Sequence, residues 1–146
     1  MMKRSCAFIV LLLVFSTSNV FGDDSAAILG TWYNEEKSSG IEIFRCADAY
    51  CGRIVWLKNP LDAQGKKKVD SKNPDESLKS RKLMGLQILS GFRYAGDETW
   101  EAGKIYDPKN GKTYSCKMRL DEENLKIRGF IGISLFGRTT IWSRKA

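Results

Sequence analysis

The sequence TWEAGKIYDPKNGKTYSCKMRL, residues 99–120, decides the fold class. Apolar and polar residues alternate with a period of two through residues 113–120, which is typical of a strand with one buried face. Residues 107–111 contain a proline followed by Asn110 and Gly111, and such residues favour a tight turn. The segment therefore predicts a β-hairpin. The apolar residues of its second strand are Tyr114, Cys116, Met118 and Leu120.

The same alternation continues outward in both directions, and no amphipathic helical segment of useful length interrupts it. The segments interpreted as strands are 28–33, 41–45, 53–56, 87–94 with a break at Ser90 and Gly91, 99–106, 113–120, 125–129, 131–136 and 137–144. About eight short strands at this spacing predict an all-β fold, either an up-and-down barrel or a sandwich. We expect a single antiparallel up-and-down β-barrel over residues 23–146, because closure leaves no exposed strand edge. An eight-stranded barrel is filled by side chains or holds one small ligand.

The N-terminus has the pattern of a cleavable signal peptide over residues 1–22. Lys3 and Arg4 precede an apolar run, residues 7–15, which is far shorter than the roughly 20 residues of a membrane span. Val20 and Gly22 stand at positions −3 and −1 of a cleavage site. We therefore expect an exported protein, periplasmic or secreted, with no stable membrane span after cleavage. The alternative is a retained membrane anchor.

Composition narrows the function classes. The chain has 24 Lys and Arg, 17 Asp and Glu, and no histidine. Loss of Lys3 and Arg4 with the signal leaves 22 basic and 17 acidic residues, a net charge of +5. The absence of histidine excludes Ser-His-Asp and Cys-His catalysis and the usual zinc ligation. We expect no enzymatic activity, no metal and no cofactor, the catalytic alternative being an enzyme that uses carboxylates, Tyr or Lys.

Residues 57–82 differ in kind, because Lys, Asp, Asn, Pro and Ser dominate them. They predict a long polar loop with one helical turn from Pro74, and loops of this length are usually functional or mobile. The lysine run 66–68 is more typical of a solvated loop than of a nucleic-acid site, and we expect no nucleic-acid partner. An anionic envelope surface or an acidic ligand remains open through long-range attraction.

Asp70, Asn73 and Asp75 place three oxygen donors within this loop. One interpretation is a calcium-type site or a recognition loop. The favoured one is structural: Asn73 and Asp75 cap and start the helical turn, and Asp70 binds backbone N–H groups. No glycine and no bidentate carboxylate stand at calcium-loop spacing.

The cysteines fit an oxidising compartment. A tight turn between Cys46 and Cys51 can bring them together, and closing so short a loop stabilises the fold by about 2 kcal/mol. Cys116 lies on the apolar side of its strand and is interpreted as a buried thiol. A pairing with Cys46 or Cys51, or a reactive role, is the alternative.

Several arginines lie on or beside strands and next to aromatic residues. They are Arg53, Arg81, Arg93, Arg128 and Arg138. Inward-facing arginines would bind an anionic or amphipathic ligand against an aromatic wall, whereas outward-facing ones are ordinary surface residues. Strict period two puts Ile54 and Trp56 on one face and Arg53 on the other, which favours the outward orientation. The candidate ligand-binding residues are Trp32, Arg53, Trp56, Arg81, Trp100, Tyr106, Arg128 and Trp142.

The sequence Gly30-Thr31-Trp32 is similar to the Gly-x-Trp signature that opens lipocalin-type barrels. In those folds the tryptophan plugs one end of the barrel, and an arginine from the last strand packs across it. The resemblance implies this role for Arg144.

A broader resemblance covers nearly the whole expected mature chain. It is carried by CADAYCGRIVWL (46–57), DSKNPD (70–75), RKLMGL (81–86), WEAGKIYDP (100–108), GKTY (111–114), RGF (128–130), LFGR (135–138) and Trp142. These segments resemble the small exported bacterial proteins of the domain of unknown function 2147 family. Lys82 stands where a common form of the family has proline. The resemblance implies a lipocalin-like β fold and export, and carries no established activity.

Together these observations predict a non-catalytic binding protein for a small apolar or anionic ligand, with a mobile loop at the mouth of the barrel. The alternative is a protein-interaction or inhibitor-type module of the envelope that uses the 57–82 loop to contact another envelope protein.

Overall fold

The computed structural model describes residues 24–146, which form a closed antiparallel barrel. Each strand pairs with the next along the chain, and the last pairs with the first. The strands are β1 (Gly30–Tyr33), β2 (Ser39–Cys46), β3 (Ala49–Leu57), β4 (Gln87–Gly96), β5 (Thr99–Asp107), β6 (Lys112–Asp121), β7 (Asn124–Phe130) and β8 (Arg138–Arg144). The predicted up-and-down barrel is confirmed, and the predicted signal peptide lies outside the described residues. Within this part of the chain, no helix is long and apolar enough to cross a membrane.

The alternating strand directions sort the connections between two ends of the barrel. Tight turns join β2 to β3, β4 to β5 and β6 to β7 at one end, which we call the closed end. The other four connections meet at the opposite end, which we call the open end. They are residues 34–38, the long loop 58–86, the turn 108–111 and the β7–β8 loop 131–137.

The closed end is plugged by Trp32, which is fully buried. Its indole Nε1 donates a hydrogen bond to the carbonyl oxygen of Ile28 at 2.9 Å. The guanidinium of Arg144 lies 4.1 Å from the ring centroid of Trp32 and donates to the carbonyl oxygens of Leu29 and Ala27. This is the arrangement that the Gly-x-Trp resemblance implies. The segment before β1 is thereby fixed across the end of the barrel.

The alternation predicted for residues 113–120 is confirmed, since Cys116, Met118 and Leu120 face the core. The Cys46–Cys51 disulfide is confirmed as well, and it joins the ends of β2 and β3 at the tight turn between them. Cys116 is free and buried, as the favoured interpretation has it.

Two strand predictions were wrong. Residues 131–136 form no strand but an exposed loop ending in a short 3₁₀ turn, Ser134–Phe136, because neither β6 nor β8 pairs with them. Ser90 and Gly91 do not break β4, which runs unbroken from Gln87 to Gly96. Gly91 has a positive φ of 73°, which is irregular for a strand. Ser90 and Arg93 on either side of it still pair with β5 in one register.

A register shift corrects the prediction that Ile54 and Trp56 share a face. Ile41 on β2 pairs with Ile54, but the next residue, Gly40, pairs with Trp56, so that Val55 is an extra residue on β3. Trp56 is therefore in register with Gly40 on the outer face. There its ring contacts that of Tyr33 edge-on, with centroids 5.5 Å apart.

Candidate functional site

The open end of the barrel leads into a cavity of about 490 Å³. Its wall is mainly aliphatic and includes Ile41, Ile54, Ile88, Ile105 and Ile127. These residues lie on five different strands, and alternation turns four of them inward. Ile88 directly precedes the buried Leu89, and it reaches the wall where the register between β3 and β4 shifts. Tyr114, Thr140 and Trp142 complete the wall, and Gly129 adds no side chain there.

The cavity stops part-way down the barrel because large side chains fill the half nearer the closed end. Phe92 and Leu89 are fully buried and lie across inward-facing glycines. A Cβ atom on Gly103 would be 2.4 Å from the Phe92 ring, and one on Gly52 would be 2.7 Å from Leu89. The missing side chains of these glycines allow Phe92 and Leu89 to fill the barrel interior, and neither of them lines the cavity.

The rim of the cavity carries charges of both signs. Lys109 Nζ in the β5–β6 turn contacts Glu36 Oε2 in the β1–β2 turn at 2.6 Å, closing the rim between these turns. The hydrogen bond and the charge of Lys109 hold the pKa of Glu36 below its ordinary value. Arg138, at the start of β8, also lines the rim and is exposed. The charge of Arg138 also lowers the pKa of Glu36, although among the described residues the ion pair of Glu36 is with Lys109.

Two further polar groups are fixed at the mouth. Asn110 Nδ2 donates to the hydroxyl oxygen of Tyr114 at 2.9 Å. Glu35 Oε1 accepts a hydrogen bond from the backbone N–H of Ile141 at 3.1 Å. The site thus combines an aliphatic interior with a polar rim, an arrangement suited to a molecule with an apolar body and a polar end.

The candidate residues of the sequence analysis separate into four places. Trp142 and Tyr106 line the cavity. Trp32 and Trp100 are buried near the closed end, where Trp100 Nε1 donates to the Ser25 carbonyl oxygen. Three candidates do not line the cavity, namely Arg53, Trp56 and Arg128. Arg53 pairs with Glu42, and Arg128 donates to the carbonyl oxygen of Ser134. Arg81 belongs to the long loop.

The long loop is tied to the barrel by Asp70, whose side chain is fully buried. Its carboxylate accepts hydrogen bonds from Tyr106 Oη at 2.6 Å, Asn73 Nδ2 at 2.8 Å and Arg81 Nε at 2.9 Å. The prediction that Asp70 binds backbone N–H groups was wrong, because side chains satisfy it. Tyr106 on β5 holds the loop to the barrel at Asp70, and the mobility of the rest of the loop stays a prediction.

The pKa values of this network follow from its contacts. Burial alone would raise the pKa of Asp70, but hydrogen bonds from Tyr106, Asn73 and Arg81, with the Arg81 charge, hold it below the ordinary value. Burial and the hydrogen bond to Asp70 raise the pKa of Tyr106. At neutral pH the pair is therefore a carboxylate accepting from a neutral phenol.

The predicted helical turn is present, but it begins at Glu76 and not at Pro74, and its N-cap is Asp75 and not Asn73. Asp75 Oδ1 accepts from the backbone N–H of Ser77 and caps the 3₁₀ turn Glu76–Leu78, and Asn73 Oδ1 accepts from the N–H of Asp75. Residues 24–146 contain no group of three His, Cys, Asp or Glu side chains arranged to hold a metal ion.

Comparison with known proteins now adds family and fold. The sequence model of the family described as "Uncharacterized protein conserved in bacteria (DUF2147)" matches residues 30–144. The chain belongs to this family. A solved structure described as protein HP1028 from the human pathogen Helicobacter pylori, of the lipocalin family, is similar: TM-score 0.71, 25% identity, 82% of this chain and 83% of that chain covered. No curated protein matches the chain.

In this DUF2147 barrel, Cys116 has no sign of reactivity. Burial raises the pKa of its thiol to about 12, so that the thiolate is absent at neutral pH. The thiol lies among core residues and behaves as a small apolar side chain.

Sequence reasoning missed most of the charged rim of this family member. Glu36 and Lys109 are 73 positions apart, and no local pattern connects two surface residues in different turns. Arg138 was considered only as one strand arginine among five. The signal that would have found it is its position next to Gly137, at the open end of the last strand.

Proposed function

We propose that this chain is a non-catalytic binding protein that holds a small amphipathic molecule in the barrel, with its apolar body among the isoleucines and an anionic group beside Arg138. The open, isoleucine-lined cavity is the observation that carries the proposal. Its volume of about 490 Å³ falls within the range of roughly 300–1,000 Å³ typical of small-molecule sites.

Arg138 supports the anionic part of the proposal. Its guanidinium stands at the mouth, and a ligand carboxylate or sulfonate there would gain a charge-assisted hydrogen bond. Lys109 contributes less to this attraction because Glu36 already neutralises it. The lipocalin-family description of the Helicobacter pylori structure is consistent with a ligand-binding role for this chain.

The proposal includes export, with residues 1–22 removed and the barrel working outside the cytoplasm. The Cys46–Cys51 disulfide fits an oxidising compartment. Mass spectrometry of the protein recovered from the periplasm or medium of an exporting host should give an N-terminus at Asp23; a retained N-terminus would contradict this part.

Dye binding tests the cavity. Anilinonaphthalene sulfonate joins an apolar body to an anion, and we expect it to bind one to one. Thr140→Trp adds an indole to the cavity wall and should weaken binding at least about tenfold, equivalent to about 1.4 kcal/mol. Ile141→Trp is the matched control, because the neighbouring residue on β8 is exposed. Equal binding by both variants would exclude the cavity as the site.

The role of Arg138 has its own comparison within this experiment. Arg138→Gln should weaken binding of anilinonaphthalene sulfonate while leaving the uncharged phenylnaphthylamine unaffected. A parallel loss for both dyes would show that Arg138 shapes the mouth and does not bind the anion.

A further inference from the structure

The β7–β8 loop exposes a cluster of large apolar side chains at the open end. Ile131, Ile133, Leu135 and Phe136 are between 58% and 79% exposed. Scattered exposed apolar residues are ordinary, but four within six consecutive positions form a contiguous patch, and such patches mark interaction sites.

The loop is held in place, so the patch is preformed. Arg128 Nε and Nη2 donate to the carbonyl oxygens of Ser134 and Leu135 at 2.7 and 3.2 Å, and Lys117 Nζ lies 3.3 Å from Ser134 Oγ. Gly137 packs against β7 so closely that a Cβ atom there would be 2.7 Å from the Gly129 carbonyl oxygen. The exposed side chains are thus displayed on a fixed support.

The charges around the patch are mainly positive. Residues 127–140 contain Arg128 and Arg138 and no acidic residue. Lys117 adds a third cation from β6, where its Nζ contacts Ser134 in the loop. Carboxylates also lie nearby: Glu101 lines the cleft beneath Ile133, and Glu35 and Glu36 line the cavity together with Arg138.

We propose that the β7–β8 loop docks the barrel onto an anionic lipid bilayer, with Leu135 and Phe136 entering the boundary between headgroups and acyl chains. Apolar side chains beside Lys and Arg are the combination that binds anionic membrane surfaces, because burial and headgroup attraction add. The three cations beside the loop, Lys117, Arg128 and Arg138, attract the headgroups while the apolar side chains pass between them.

The size of the patch favours a bilayer over a second protein. Stable protein interfaces use about 20–30 residues a side, whereas this loop offers only residues 131–137. A lipid surface needs only a projecting tip. The proposal does not depend on what the cavity holds. Arg138 lies both at the mouth of the cavity and beside the β7–β8 loop, so a docked barrel would turn its mouth toward the membrane.

Vesicle co-sedimentation tests the proposal with the full chain as recovered from an exporting host. We expect binding to vesicles of equal parts phosphatidylglycerol and phosphatidylcholine, little binding to phosphatidylcholine alone, and weaker binding at high salt. Leu135→Ser with Phe136→Ser should lower the partition coefficient at least about tenfold, since two apolar side chains are lost. Leu61→Ser, in the long loop, is the control and should bind as the wild type does.

All variants share one N-terminus, so a difference between them comes from the loop. Phe136→Trp gives a second readout: the fluorescence of the introduced indole should shift to the blue and be quenched by brominated lipid. Failure of the wild type to bind, unchanged binding by the double variant, or an unshifted spectrum of the Phe136→Trp variant would each overturn the proposal. A further outcome would also overturn it: the wild type is a dimer by analytical ultracentrifugation, the double variant is a monomer, and the two bind vesicles equally.

Discussion

The closed and open ends of the barrel use their large side chains in opposite ways. At the closed end, Trp32 and Trp100 are fully buried, and backbone carbonyls accept their indole N–H groups. At the open end, isoleucines line a cavity, and the long loop and the β7–β8 loop expose Leu61, Met84, Leu135 and Phe136 to solvent. None of the exposed large apolar residues within the described chain lies in a closed-end turn.

This difference separates stability from binding within one small barrel. The closed end supplies a continuous core that holds the strands in register, and the open end is free to keep unfilled space. Substitutions at the closed end should therefore change the free energy of unfolding most, and those at the open end should change ligand or surface binding.

The largest effect is expected from Trp32→Ala. It removes a fully buried indole, its hydrogen bond to Ile28 and the contact with Arg144, at a cost of about 3–5 kcal/mol in the free energy of unfolding. Urea denaturation measures this. Trp56→Ala, on the outer face, is the matched control and should cost clearly less; equal losses would contradict the plug at the closed end.

A smaller effect is expected from Gly111→Ala, which tests how the long loop rests on the open end. Gly111 has a φ of 72°, and a Cβ atom there would be 1.9 Å from the Lys72 carbonyl oxygen. Gly96, the last residue of β4 before the closed-end turn to β5, has a φ of 85° and nothing within 4 Å of its Cβ position. Both alanines strain the backbone, but only the first forces the loop away, so Gly111→Ala should cost about 1–3 kcal/mol more than Gly96→Ala in urea denaturation.

The smallest effect concerns Tyr106→Phe, which removes one hydrogen bond to the buried Asp70 and should cost about 1 kcal/mol at neutral pH. Because the folded-state pKa of Asp70 is lowered, its carboxylate stabilises the fold fully above about pH 4. This contribution is lost as pH falls through the folded pKa.

Urea unfolding at a series of pH values checks this. Asp70→Asn should flatten the acid limb of the stability curve. Asp48→Asn, which breaks the exposed closed-end pair with Arg93, should leave most of that limb intact. An acid limb unaffected by Asp70→Asn would show that the buried carboxylate is not its source.

The sequence predicted those features that depend on neighbouring residues. Alternation placed Cys116 inside, and a short spacing paired Cys46 with Cys51. The contact of Arg144 with Trp32 followed from a family resemblance, since nothing local connects the two residues.

Other features depend on strand bulges and on contacts between distant residues, which a local sequence pattern does not reveal. The extra residue Val55 reverses the face of Trp56, and a strict period of two cannot register such a bulge. Asp70 binds Tyr106 across 36 positions, a pairing that exists only once the loop lies on β5. The apolar residues 131–136 have the composition of a strand, and only their lack of a pairing partner shows that they form a loop.

The seam between β1 and β8 has a kinetic consequence. Its ladder holds only two residue pairs, Trp32 with Arg144 and Tyr33 with Ser143, and the Arg144 side chain supplies two more hydrogen bonds to residues 115 and 117 positions away. Contacts of such sequence separation require the closure of nearly the whole chain and are formed late in folding. The amide protons of this seam should accordingly exchange with solvent by local opening well before those of the β4–β5 and β5–β6 ladders.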